Sequence, residues 1–430
     1  MHRLSNFLLF VIALAAPIVM HAQAPRTMSL DDARTLALEH NTALVNAGLA
    51  VDESHAKLRE VVAAGLPQVN ATADYSNFFG SSASLGNFPG MTIEFKPTSN
   101  LGITVSQLVF SGAYIVGIQT AKLAAELAET SRRKSRAEVL AQVTQTYALC
   151  QASEKLRAVV EANLANMDEL LRKTRAMVDV GMLEELDYDQ LAVQHATLAD
   201  ALRAAERQRE LAENMLRLIT GLPADASISL TEELEAISAR HDARGNRSAP
   251  FVLEESHNFR LLTLQKELAD KQVNLQKVEY LPTIAGFYSY TEKLLKPEFD
   301  LTPKHVIGLN LQIPLFTGFA RMHRVEQASI RRDIAENQLA QGARELRIQE
   351  KQLRYNLSNA REHFERQRET LAVARRVFES MRNKYQQGRA SSLDLTTANG
   401  SYLQAESGFH TALLQLINAQ VELDTLLDTL

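Results

Sequence analysis

The chain of 430 residues has one cysteine, Cys150, and no tryptophan. One cysteine excludes an internal disulfide. Its distance from the N-terminal region also excludes the lipid-bearing cysteine of a lipoprotein, so an apolar core thiol is the expected role. Beyond the first 20 residues no stretch reaches 18 apolar residues, which predicts no transmembrane helix. The net charge of −5 gives no electrostatic reason to expect nucleic acid. Catalytic signatures are missing too: there is no GxGxxG, GxxxxGK[ST], GxSxG or HExxH. The 11 histidines are scattered, and His363 and His410 fall in long helical stretches as surface or core residues. No enzyme, cofactor or metal site is predicted.

The first residues read as an export signal. His2 and Arg3 precede an apolar run of 13 residues, Leu8–Met20, and Ala22-Gln23-Ala24 offers small residues for cleavage near residue 24.

Behind the signal, residues 28–222 recur in altered letters across 251–430. Leu108-Val109-Phe110-Ser111-Gly112 matches Pro314-Leu315-Phe316-Thr317-Gly318, and Gly181 with Leu186-Asp187 matches Gly388 with Leu393-Asp394. Gly65-Leu66-Pro67 likewise parallels Tyr280-Leu281-Pro282. Marks recurring in one order point to a duplication, with residues 223–250 joining the copies as a small mixed belt.

From about Tyr114 to Val180 there is no proline, and Gly117 is the only glycine. Leu156, Val160, Leu164, Met167, Leu171, Thr174 and Val178 step by fours and threes, which is a coiled-coil seam. The second copy repeats it from Leu346 through Leu357, Phe364, Leu371 and Phe378 to Tyr385. Long helices over 114–180 and 319–387 are predicted, each about 100 Å at 1.5 Å per residue. Shorter helices are expected at 29–64 and 187–220, then at 252–280 and 392–428. Two short helices stacked end to end would match one long partner. Gly181 and Gly388 mark the far turns, where a left-handed residue can end one helix before the next.

Two hairpins complete the pattern, at 68–111 and 283–317. Val69, Ala71, Ala73 and Tyr75 alternate with Asn70, Thr72, Asp74 and Ser76. Ile307, Leu309, Leu311, Ile313 and Leu315 form the expected lipid face, opposite Gly308, Asn310 and Gln312. Such strands match the outer-membrane barrel pattern; the alternative is a soluble hairpin on a coiled-coil scaffold. Four strands cannot close a barrel, and open edges do not survive in lipid. Three chains sharing twelve strands would leave a pore.

At the turns, Asp187 and Asp394 occupy equivalent places. A trimer would present six carboxylates at this end, and a narrowing there would make them favour cations. Ser391-x-x-Asp394 also fits a helix capping box, and the two roles are compatible. The Glu184-Glu185-Asp187-Asp189 cluster fits no dedicated metal loop and reads as a solvated acidic tip.

Together these features resemble the TolC family of outer-membrane efflux proteins, across essentially the whole mature chain. Ser29-Leu30-Asp31-Asp32-Ala33 through Ala37-Leu38 to Asn41 and Leu44 is similar to the family's first helix, with Thr42 where a proline commonly stands. Leu66-Pro67, Phe110-Ser111-Gly112, Phe316-Thr317-Gly318 and Gly388 with Leu393-Asp394-Leu395 are similar to its other marks. The resemblance implies a mainly α fold with a β-barrel part: a homotrimer with a shared 12-stranded barrel in outer-membrane lipid and a periplasmic α-helical coiled-coil barrel. It implies a passive exit duct in the outer membrane of a Gram-negative bacterium, for small toxic compounds or for secreted polypeptides. The implied partners are a periplasmic adaptor (membrane fusion) protein and an inner-membrane pump of resistance-nodulation-division or ABC type. Gly181, Leu186, Gly388 and Leu393 would form the adaptor-docking tip. Tyr385 matches a position whose hydroxyl can reach the acid of the neighbouring turn, here Asp187. An arginine often found two residues after the second glycine is replaced by Ala390.

Overall fold

The computed structural model describes residues 26–84, 92–244, 250–296 and 302–430. The signal segment 1–24, parts of the loops 80–98 and 293–304, and residues 245–249 of the connector lie outside these. In chain order the elements are β1 (Arg26–Met28), α1 (Leu30–His40), α2 (Thr42–Ala63), β2 (Gln68–Ser76), β3 (Ser82–Ser84), β4 (Thr92–Glu94) and β5 (Thr98–Phe110). Next come α3 (Gly112–Asp179), α4 (Glu185–Thr220), β6 (Ile228–Leu230), α5 (Leu234–Arg244) and α6 (His257–Val278). The last are β7 (Thr283–Leu295), β8 (His305–Gln312), α7 (Ala320–Gln386) and α8 (Ser392–Leu426). The chain divides into two compact units, one built from residues up to Asn41 with 139–244 and 357–421, the other from 42–138, 245–356 and 422–430.

The second unit carries the sheet. Four antiparallel strands run in the order β2-β5-β7-β8, so the two duplicated hairpins join through β5 and β7. Register fixes the faces, because residues directly opposite share a side. Ile307, Leu309 and Leu311 stand opposite Tyr288, Gly286 and Ile284. Gly308, Asn310 and Gln312 fall on the other face with Phe287, Ala285 and Thr283. The apolar side continues through Val105, Ile103 and Leu101 to Val69, Ala71 and Ala73. Ile307 is 85% exposed and Leu309 76%, so among the described residues nothing covers the β8 part of this face. Gly308 is small for a reason: a Cβ there would lie 2.8 Å from the ring of Phe287.

Several expectations are corrected here. Ile313 and Leu315 do not belong to the strand, because β8 ends at Gln312. Pro314, with no N–H to donate, cannot extend a ladder. The hairpin expected over 68–111 is not two strands alone: its connection contains a short antiparallel pair, β3 with β4. The duplicated Phe-Ser/Thr-Gly marks serve different ends. Gly112 opens α3 directly, and a Cβ on it would meet Val278 at 2.8 Å. Gly318 and Phe319 instead take left-handed φ of 57° and 64°, which delays α7 to Ala320.

The same unit holds the helices next to the sheet. The Tyr114 hydroxyl donates to the Val62 carbonyl at 3.0 Å, and His55 lies 3.3 Å from Glu129, joining α2 to the start of α3. Arg260 on α6 pairs with Glu126, and Leu253, Leu346 and Leu426 make a buried cluster with Phe251, Phe259 and Leu353.

In the other unit the expected seam is present. Val160, Met167 and Thr174 are buried, and Met167 packs with Leu191 and Leu198 of α4. The first helix is not continuous over 29–64. It stops at Asn41, whose ψ of 120° is extended and whose amide donates to the Ile219 carbonyl at 3.0 Å. The break therefore forms without the proline. Gly221 ends α4 in a left-handed conformation, and a Cβ there would meet His40 at 2.6 Å.

The connector pairs β6 in parallel with β1. Tyr147, fully buried, donates its hydroxyl to the Met28 carbonyl and accepts from the Glu232 N–H, both at 3.0 Å. Burial raises its pKa, so it remains a neutral phenol. Cys150 is a buried thiol, pushed up to about 12 chiefly by desolvation.

Candidate functional site

The turns at Gly181 and Gly388 are built alike up to the glycine. After α3, the Gly181 N–H bonds the Val178 carbonyl at 2.9 Å and the Met182 N–H reaches Met177 at 2.8 Å. After α7, Gly388 bonds Tyr385 at 2.9 Å and Arg389 reaches Lys384 at 2.8 Å. Both are Schellman motifs with the glycine left-handed, at φ 76° and 68°. A Cβ at either position would meet nothing within 4 Å, so glycine is required here by conformation and not by space.

Beyond the glycines the copies diverge. Ser391 caps α8: its hydroxyl accepts from the Asp394 N–H at 3.1 Å, while the Asp394 carboxylate accepts from the Ser391 N–H at 3.1 Å and its hydroxyl at 2.7 Å. These bonds hold the Asp394 carboxyl below the usual range. The capping role is therefore real, and it keeps the group ionised. In the first copy Glu184 stands where Ser391 would be, and its side chain makes no cap bond. Asp187, unclaimed by its own cap, accepts instead from the Ser392 hydroxyl at 2.6 Å.

The expected Tyr385–Asp187 bond is not formed. The Tyr385 hydroxyl pairs with Thr174 Oγ1 at 2.9 Å, with both residues buried. Two polar pins thus tie the α3–α4 pair to the α7–α8 pair: Thr174–Tyr385 and Asp187–Ser392. In the sequence Thr174 reads as a seam residue only, and Ser392 carries no signal of its own. The missing serine at position 184 was the one clue that Asp187 would look elsewhere. Where the family arginine would stand, Ala390 packs against a cluster of Phe378, Tyr385, Leu395 and Ala398. Phe378 stacks on Tyr402 at 5.4 Å, and the Tyr402 phenol is pushed up to about 12 by burial and by its bond to Glu406.

The outer surface of the turns is apolar and acidic. Leu186 and Leu393, each 60% exposed, occupy equivalent second positions of α4 and α8. Met182 is 72% exposed beside them. Arg175 bridges the first turn, 3.1 Å from Asp179 and 2.7 Å from Glu185. Among the described residues no group of three or more His, Cys, Asp and Glu side chains is placed to hold a metal, and no helix is long and apolar enough to cross a membrane.

The sequence profile of the outer membrane efflux proteins matches residues 33–222 and 251–429, the two copies of the duplication. BepC, an outer membrane efflux protein of Brucella suis biovar 1, is 24% identical over 422 residues, covering 93% of this chain and 87% of BepC. The CmeC outer membrane channel of Campylobacter jejuni has a similar fold, with a TM-score of 0.76 at 17% identity over 93% of this chain and 85% of CmeC. A membrane protein of Pseudomonas aeruginosa gives 0.79 at 18%, over 93% of this chain and 92% of its own. The chain belongs to the outer membrane efflux protein family and is an outer-membrane exit channel of TolC-type fold that extends into the periplasm.

Proposed function

We propose that three copies of this chain close one twelve-stranded barrel and act as the exit duct of a tripartite efflux system for small toxic compounds. The observation that carries this reading is the four-stranded sheet with its uncovered apolar face and two open edges, β2 and β8. Lipid does not tolerate open edges, and further copies of the same sheet supply the missing partners. The chain has no nucleotide-binding motif, so the energy comes from an inner-membrane pump, reached through a periplasmic adaptor.

The far turns carry the docking surface. Leu186 and Leu393 offer exposed apolar contacts, flanked by Glu185 and Arg389, for a helical adaptor hairpin. Cysteines placed at Met182 and Arg389 in a Cys150→Ser background should crosslink to the adaptor hairpin in whole cells. Crosslinks obtained only from cysteines in the 223–250 connector would refute docking at the turns.

The ring of Asp187 and Asp394 gives the duct its ion preference, and the two pins hold it shut at rest. The ring follows from the equivalent placement of the two acids, which a threefold axis repeats; the pins follow from the Thr174–Tyr385 and Asp187–Ser392 hydrogen bonds.

A further inference from the structure

Beside the Thr174–Tyr385 pin lies a cleft of about 370 Å³ that the closing bonds do not fill. It lies between α3, α7 and α8. Its walls are apolar, from Met167, Leu170, Met177, Phe378 and Leu395. Two asparagines are set into these walls. Asn163 is 5% exposed; its amide donates to the Val159 carbonyl at 2.9 Å, yet its Oδ1 is buried without a partner. Asn399, 4% exposed, lies on the opposite wall on α8. A buried amide oxygen left unsatisfied costs roughly 1–3 kcal/mol, so native structures usually supply it with a protein partner or an ordered water.

The mouth has its own chemistry. The Lys173 ammonium is engaged by Glu169 at 2.6 Å. The Arg382 guanidinium sits 6.0 Å from the Phe378 ring centre; among the described residues it makes no salt bridge, although its charge helps lower the Glu169 pKa. Two cations and one carboxylate leave the mouth net positive. Small-molecule sites of a few hundred Å³ are built this way, with apolar walls and a few convergent polar groups.

We propose that this cleft binds a small amphipathic anion, with its apolar body between Phe378 and Met167, beside Asn399, and its negative group at Arg382. Such a guest bridges α3 to α7 and α8. It therefore favours the closed arrangement of the turns, a consequence that rests on the duct reading above. A ligand that contacts both helix pairs only when they are together shifts the population toward that state.

The test uses the full-length protein in lipid nanodiscs with 2-naphthoate, titrated calorimetrically, and the same protein in planar bilayers. Saturable binding of one 2-naphthoate per chain is expected, weakened at least fivefold by Asn399→Leu, which fills the cleft. Arg382→Gln should weaken it similarly, while neutral 2-naphthamide should bind more weakly than the anion. The exposed control Arg375→Gln should leave binding unchanged, and all variants should retain the wild-type oligomeric mass. Absence of saturable binding, or binding indifferent to both Asn399→Leu and Arg382→Gln, overturns the site. Bound 2-naphthoate should lower single-channel conductance severalfold. Unchanged conductance at saturating 2-naphthoate overturns the closing role while leaving the site and the duct intact.

Discussion

Leu309→Arg should block assembly into the outer membrane, whereas Asn310→Arg, one residue along, should assemble almost normally. Both lie on β8, but the register puts Leu309 opposite Gly286 on the continuous apolar face and Asn310 opposite Ala285 on the polar one. An arginine facing lipid at the bilayer midplane costs about 2–4 kcal/mol, and a threefold assembly suffers it three times. An arginine facing a water-filled lumen keeps its hydration. Because β8 ends at Gln312, Leu309 is nearer the middle of the strand than Leu311. Leu311→Arg should accordingly be the milder change, since the cost falls toward the interface. Heat-resistant oligomer recovered from outer-membrane fractions reads all three. Equal recovery of Leu309→Arg and Asn310→Arg would contradict the register as a lipid and lumen assignment.

The double variant Tyr385→Phe with Ser392→Ala should open the duct. Each change removes one hydrogen bond of the closed turns: the Thr174–Tyr385 pair at 2.9 Å and the Asp187–Ser392 pair at 2.6 Å. A net loss of about 0.5–1.5 kcal/mol per bond, over six bonds in a trimer, removes about 3–9 kcal/mol from the closed state. Even the lower figure shifts the opening equilibrium by more than about 100-fold. Single-channel conductance in planar bilayers should rise, with the oligomeric mass unchanged. Conductance indistinguishable from wild type would show that these bonds are structural and that closure lies elsewhere on the helices.

Asp394→Asn should act differently, reducing cation selectivity while leaving conductance near the wild-type level. The Asp394 carboxyl is held below its ordinary pKa of 3.8 by Ser391. A depressed folded-state pKa means that the contribution is present above the ordinary value and is lost only as pH falls through the lower, folded one. Selectivity should therefore persist at pH 4 and fade below that.

The long helices and both hairpins were legible because each rests on a sustained period: threes and fours from Leu156 to Val178, and twos from Ile307 to Leu311. The turn glycines were legible because a left-handed residue leaves a visible mark. Short or conditional features were not. β1 and β6 are three residues each, too short for any period, and they form only because a parallel partner exists. The end of the first helix at Asn41 depends on the Ile219 carbonyl, 178 residues away. The Tyr385 partner could not be read either, since a threonine in a seam looks apolar until a hydroxyl meets it. The strand was read too long at Ile313 and Leu315, although Pro314 between them marked its end.

The central claim is that three chains share one barrel. Native mass spectrometry of the protein extracted from outer membranes in mild detergent measures this directly. The account requires a species of three chains, each near 47.8 kDa before any signal removal, found in the outer-membrane fraction and lost when Leu309 is replaced by arginine. A monodisperse single chain, soluble in the periplasm without detergent, would contradict it.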